Sequence, residues 1–136
     1  MNIDVNWLAV LVAAIVNFVV GWLWFGPIFG KTWKNLMGIT SESMGAMKMT
    51  PTMAMVGGFI TSLIMAYVLA VVLSLAAVAS VGSALGVAFW VWLGFVATVT
   101  SGMWLWEGKP FKLFALVALE HLVGMSLAAV VLTMWM

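Results

Sequence analysis

The sequence predicts an all-α, integral membrane four-helix bundle, and three observations predict it. Hydrophobic residues make up 66% of the 136, charged residues only 7%, and the mean hydropathy is +1.24. A soluble domain with that balance has too few polar groups to cover its surface. The apolar residues fall into four stretches, each as long as the roughly 20 residues an α-helix needs to cross a bilayer. Glycine, proline and hydroxyl residues mark the joins, at Gly26-Pro27, Thr50-Pro51, Ser80-Val81-Gly82-Ser83 and Glu107-Gly108-Lys109-Pro110. The chain is too short for a bundle plus a soluble domain, so residues 1–136 form one transmembrane domain.

The first span is expected over about residues 5–25 and stops at Gly26-Pro27, where the hydrogen-bond ladder loses a donor. It does not read as a cleaved signal peptide, because Asp4 stands where a positive n-region belongs and no small-residue cleavage site follows. An interfacial segment over about 27–50 comes next. In it Phe29, Trp33, Leu36 and Met37 recur at helical spacing with Lys31, Lys34 and Asn35 between them, as in a short helix on a membrane surface. Thr50 reads as an N-cap with Pro51 at the first helical position. The second span covers about 51–79, long enough for its first turns to lie in the interface or for it to bend near Gly57-Gly58. The third covers about 83–106 and the fourth about 110–135.

All five lysines (Lys31, Lys34, Lys48, Lys109, Lys112) fall in or beside the two loops on one side. The positive-inside rule makes those loops cytoplasmic and both termini extracytoplasmic. Trp7 and Trp135 suit one interface and Trp22, Trp24, Trp104 and Trp106 the other, while Trp90 and Trp92 lie too deep for an aromatic belt. Trp22-Leu23-Trp24-Phe25-Gly26-Pro27 resembles Trp104-Leu105-Trp106-Glu107-Gly108, with Pro110, Phe111 and Lys112 echoing Pro27, Phe29 and Lys31. The match suggests two parallel two-helix repeats; the competing account is that Trp, Gly and Pro are what span ends use.

The run from Gly21 through Trp24, Gly26, Pro27, Phe29, Gly30 and Lys31 to Trp33 resembles the signature of a family of bacterial membrane proteins, domain of unknown function 1761. That signature is an aromatic-Gly-Pro-x-Phe-Gly-Lys-x-Trp run after the first span, and here Phe25 stands where the family often has tyrosine. The resemblance covers most of the length and implies a small multi-pass protein of a bacterial inner membrane. It draws attention to Gly26, Phe29, Gly30, Lys31 and Trp33 without giving them a role.

Small residues recur every four positions in each span. The ladders are Ala9, Ala13, Asn17 and Gly21; Gly58, Ser62, Ala66, Ala70 and Ser74; Gly82, Gly86, Gly94, Thr98 and Gly102, interrupted by Trp90; and Gly124 with Ala128. Such ladders are packing seams that let helix backbones approach closely in lipid. Four helices do not bury so many seams internally, so a homo-oligomer is expected.

Glu120 and His121 sit in the middle of the last span, where an ionisable group costs about 2.5–3.5 kcal/mol on insertion scales. Helical rise places Glu120 roughly 13 Å, Asn17 about 12 Å, Thr61 and Ser62 about 15 Å and Thr98 about 10 Å from the lysine-bearing ends of their spans. Polar groups from four spans thus reach one layer and are expected to share hydrogen bonds, since unpaired polar groups in lipid are strongly disfavoured. Adjacent residues point about 100° apart, so Glu120 and His121 straddle the face that carries Gly124. An apolar setting favours the neutral form of each.

Two accounts of the layer compete. One is a transporter or channel for a small solute, proton or cation. The other is a structural role, as an interaction protein or as an accessory subunit of a larger membrane complex. The methionine run Met44, Met47, Met49, Met53 and Met55 has the softness for Cu(I) but lacks Cys and His, so apolar packing is favoured. No metal-ligand set, activated nucleophile or phosphate loop is visible, so neither enzymatic activity nor a cofactor is expected. With net charge +1 and no basic patch, no nucleic-acid partner is expected. The expected partners are the bilayer, further copies of the chain and other membrane proteins.

Overall fold

A computed structural model describes residues 5–38 and 50–135. Asp4, Lys48, Met44, Met47 and Met49 lie outside the described residues. Five helices carry the described chain: α1 (Trp7–Ile28), α2 (Gly30–Met37), α3 (Pro51–Leu75), α4 (Val81–Leu105) and α5 (Phe111–Met134), with no strand among the described residues. All but α2 are long and apolar enough to cross a membrane. The chain is an all-helical, multi-pass membrane protein.

Local chemistry sets the helix ends. The Asn6 side chain accepts hydrogen bonds from the backbone of Leu8 and Ala9 at 3.1 and 3.2 Å, capping α1. Thr50 does the same for Met53 at 3.1 Å, with Pro51 in the first turn of α3, where its missing N–H leaves no gap. Ser80 caps α4 through the Ser83 N–H at 3.2 Å, so that helix begins two residues earlier than the turn residues suggest. α3 ends at Leu75, short of residue 79, because Ala77 takes a left-handed φ of 55°. Val78 N–H then bonds the Leu73 carbonyl and Ala77 N–H the Ser74 carbonyl, the Schellman closure of a helix end.

Two spans contain π-helical turns. The last five residues of α1, Trp24–Ile28, widen so that Phe29 N–H reaches the Trp24 carbonyl at 2.9 Å. Pro27 has no N–H to give an α-helical bond, and the wider turn absorbs it, so the helix runs past Gly26-Pro27 instead of stopping there. α4 widens at Trp92–Ala97 without a proline. The Thr98 hydroxyl donates to the Gly94 carbonyl inside that turn at 2.8 Å, giving a backbone acceptor in the disturbed ladder a partner.

α1 lies between α3 and α5, α4 packs on the far side of α5, and α3 and α4 scarcely touch. The core is built largely from alanine: Ala9, Ala13 and Ala14 on α1, Ala66 and Ala70 on α3, Ala84 and Ala88 on α4, Ala128 and Ala129 on α5. Leu69, Leu73 and Leu132 fill the remaining space. Small side chains suit a bilayer, where dispersion between close backbones, not exclusion of water, drives association.

The α1, α3 and α5 ladders are used inside the bundle. The α4 ladder is not: a Cβ added at Gly82, Gly86 or Gly94 would meet nothing within 4 Å. α4 instead buries Ala84 and Ala88. α1–α3 and α4–α5 are both packed pairs, but the close α1–α5 contact has no counterpart between α3 and α4. The two halves therefore do not close symmetrically around an axis.

Candidate functional site

α1 and α5 run antiparallel in a register fixed at four places. Asn6 Nδ2 donates to the Trp135 carbonyl at 3.3 Å, and Trp24 Nε1 donates to the Leu116 carbonyl at 3.1 Å. Between them, the Asn17 amide lies over Gly124 and the Glu120 carboxyl over Gly21. A Cβ at Gly124 would collide with Asn17 Oδ1, and a Cβ at Gly21 would stand 3.3 Å from Glu120 Oε1. Each helix thus offers one polar side chain and, four residues on, one glycine notch for the other's. One turn of helix separates them, which keeps both on the facing surface.

The site continues from this interlock. Asn17 Nδ2 donates to Ser62 Oγ on α3 at 2.9 Å, and Ser62 is buried. Glu120 is 4% exposed, and its Oε2 lies 3.1 Å from His121 Nδ1, within hydrogen-bond distance. The His121 side chain is 47% exposed and leads from the buried carboxyl out of the bundle. Asn17, Ser62, Glu120 and His121 are therefore brought together from α1, α3 and α5. Thr61 lies beside them, with its hydroxyl donating to the Gly58 carbonyl of its own helix at 2.8 Å. Thr98 stays outside the cluster, exposed and engaged with its own π turn. From α4 it is Thr100 that faces the site.

Two open cavities flank the cluster. One, of about 430 Å³, lies toward the α2 end between α1 and α3, lined by Phe18, Trp22, Phe25, Met55 and Gly58. The other, of about 340 Å³, lies between α3 and α4, lined by Met65, Phe95, Val96, Val99 and Thr100. Asn17, Thr61, Ser62 and His121 border both. Glu120 borders only the first.

The loop motif forms a second, separate unit. Trp24 packs on Phe29 with ring centroids 4.8 Å apart, and Phe25 on Trp33 at 5.4 Å. Gly26 and Pro27 lie exposed in the π turn. Gly30 is buried where a Cβ would stand 3.0 Å from the Phe25 carbonyl, so its lack of a side chain lets α2 fold back. Lys31 is exposed on α2. The motif shapes the turn from α1 into α2, and through Trp24 it is anchored to α5.

Two contributors escaped the sequence reading. Gly21 was visible as a seam residue, but not as the notch for a carboxyl. Trp92 Nε1 donates to the Ala118 carbonyl at 2.7 Å, which explains an aromatic too deep for a belt. The signal was there: Trp22-x-Trp24-x-Gly26 recurs as Trp90-x-Trp92-x-Gly94, and in each case the second tryptophan opens a π turn and donates to α5. Trp106, the expected counterpart of Trp24, opens no π turn and instead caps the end of α4.

Gly124→Ala should destabilise the protein by about 1–3 kcal/mol through overpacking against Asn17. Adding Asn17→Ala should recover part of that loss, so the two changes are non-additive in equilibrium unfolding in detergent micelles. Additive losses would show that the two residues do not meet.

No curated protein and no solved structure matches the chain. A family model does match, over residues 8–133, from the first turn of α1 to the last turn of α5. Nearly the whole bundle, polar cluster and loop motif included, falls within that match, and the chain belongs to the family described as protein of unknown function DUF1761.

Proposed function

We propose that the protein is a small transporter or channel-like protein that passes a proton, cation or small solute through the layer formed by Asn17, Ser62, Glu120 and His121. The observation that supports this is the shared wall: two cavities meet at Asn17, Thr61, Ser62 and His121, with the Glu120 carboxyl directly behind. Ionisable groups at this depth are rare in membrane spans and mark ion or proton pathways. The reading assigns no catalytic step and no cofactor. In proteoliposomes carrying a pH-sensitive dye, the parent protein should support a pH-dependent flux. Glu120→Gln and His121→Ala should each abolish it while leaving insertion and assembly intact.

The α1–α5 interlock supports a second reading, in which the same polar residues serve helix register in an interaction protein. That reading is preferred if the parent protein carries no flux and the same substitutions disturb assembly instead.

We further propose a homo-oligomer joined along α4. Gly82, Gly86 and Gly94 face outward without internal neighbours, with the exposed Trp90 standing between Gly86 and Gly94, and the Gly82–Gly86 pair permits close approach of another helix. Gly86→Leu should then shift the protein to monomer in size-exclusion chromatography with light scattering, and an unchanged mass would refute the α4 seam. Co-purification of a stoichiometric, unrelated membrane protein would favour the accessory-subunit account.

We further propose a bacterial inner-membrane location; the reading that both termini lie outside is supported by Lys31, Lys34, Lys109 and Lys112, which all stand in or beside the α1–α3 and α4–α5 connections. The chain has no cysteine, so Lys34→Cys gives a single thiol. It should react with a membrane-impermeant maleimide in inverted vesicles and not in intact cells. The opposite pattern reverses the topology.

A further inference from the structure

The weak contact between α3 and α4 leaves a cleft that faces the bilayer. The cavity at the polar cluster continues into a second one of about 200 Å³, with Met65, Val96 and Met125 common to both. Along α3 the lining follows a single helical stripe: Thr61, Ser62, Met65, Val68, Leu69 and Val72. Its first two positions carry hydroxyls and the rest are apolar. Val91 and Val96 face them from α4. By helical rise the stripe from Thr61 to Val72 is about 16 Å long, roughly half the hydrocarbon core of a bilayer.

The two ends of this cleft differ in chemistry. At one end stand the Thr100 hydroxyl and the half-exposed His121 ring, whose Nε2 and the Thr100 Oγ1 have no hydrogen-bond partner among the described residues. At the other, the wall is wholly hydrocarbon and thioether. The two polar groups differ in depth: His121 is about 15 Å along α5 from Phe111, and Thr100 is about 8 Å from the Leu105 end of α4. Thr61 is about 15 Å along α3 from Pro51, near the middle of a hydrocarbon core about 30 Å thick. A bilayer phospholipid keeps its headgroup at the interface and brings only acyl chain to the level of His121, leaving that ring unpaired. A charged headgroup there is disfavoured by about 2.5–3.5 kcal/mol.

We infer that the α3–α4 cleft is a binding site for a neutral, single-chain, membrane-soluble amphiphile, its polar group against His121 and Thr100 and its hydrocarbon chain along the Met65–Val72 stripe. The ligand enters sideways from the bilayer between α3 and α4. The inference shares His121, Thr61, Ser62 and the 340 Å³ cavity with the flux reading, and adds to it the hydrocarbon stripe beyond Met65. Cleft occupancy and ion flux are separate readouts, and either can fail alone.

The test uses the full-length protein in nanodiscs and three photoreactive probes with the diazirine at mid-chain: a long-chain primary alcohol, an alkane of the same length and a phosphatidylcholine. Labelled residues are mapped by mass spectrometry. The alcohol should label Val68, Val72, Val91 and Val96 in preference to the lipid-facing residues Ile15, Val19 and Ile64, and the other two probes should not show that preference. Val96→Phe, which fills the cleft from a partly exposed position, should remove the preference. Thr100→Val should weaken it while leaving the alkane pattern unchanged. Equal labelling of cleft and lipid-facing residues by the alcohol overturns the inference. So does a cleft preference shared by the phosphatidylcholine, which identifies the occupant as bulk acyl chain, or by the alkane, which shows that the polar end plays no part. A preference that survives Val96→Phe with unchanged unfolding stability also overturns it.

Discussion

The bundle depends on the way α1 and α5 trade polar side chains for glycine notches. Asn17 needs the space at Gly124, and Glu120 needs the space at Gly21. Neither polar group is tolerated facing lipid, and neither fits against an ordinary side chain on the opposite helix. The two requirements are met together only in one antiparallel register. Asn6 with Trp135 and Trp24 with Leu116 extend that register to both ends of the pair. A slip of one helical turn would move every small residue of the seam off its partner and strand a carboxyl in hydrocarbon. The remaining helices attach to this pair: α3 through the Asn17–Ser62 hydrogen bond and the alanine seam, α4 through Trp92 and Ala84.

The interlock also explains how an ionisable pair is held in a membrane span. Glu120 is enclosed by backbone at Gly21 and by His121, and His121 carries the pair's polarity outward to two cavities. The tryptophans of the two π turns donate to α5 carbonyls at Leu116 and Ala118, just before Glu120. α5 therefore meets a fixed donor from each flanking helix where its polar pair begins. What remains unfilled is the α3–α4 side. There the helices diverge, the glycine ladder of α4 points away from the core, and the polar layer opens toward lipid. A closely packed α1–α5 pair beside an open α3–α4 seam gives the molecule one closed side and one open side.

Much of this was legible in the residues. The four spans follow from hydropathy alone, and the ladders Ala9–Ala13–Asn17–Gly21 and Gly124–Ala128 already marked the two faces that meet. The depth of Asn17, Ser62 and Glu120 followed from counting helical rise. Pairing did not follow, because spacing along a helix gives a face but not the neighbour that face selects. Thr98 illustrates this: its depth suits the polar layer, yet the π turn before it leaves a carbonyl that its hydroxyl satisfies locally. Thr100, two residues further on, borders the site instead. The end of α3 was hidden because Ala77, a residue that favours helix, takes the left-handed conformation usually given to glycine. The Trp-Gly-Pro-Phe-Gly-Lys run was conspicuous as a motif, but that Gly30 yields room for α2 depends on a backbone approach that no pattern displays.

The most direct test of the interlock is solid-state NMR on the uniformly labelled protein in lipid bilayers, looking for through-space correlations between helices. The account predicts two cross-peaks, one between the Asn17 side-chain amide and the Gly124 Cα, the other between the Glu120 carboxyl and the Gly21 Cα. Absence of both, or correlation of Asn17 with Ala128 one turn away, would contradict the register on which the rest of the structure is built.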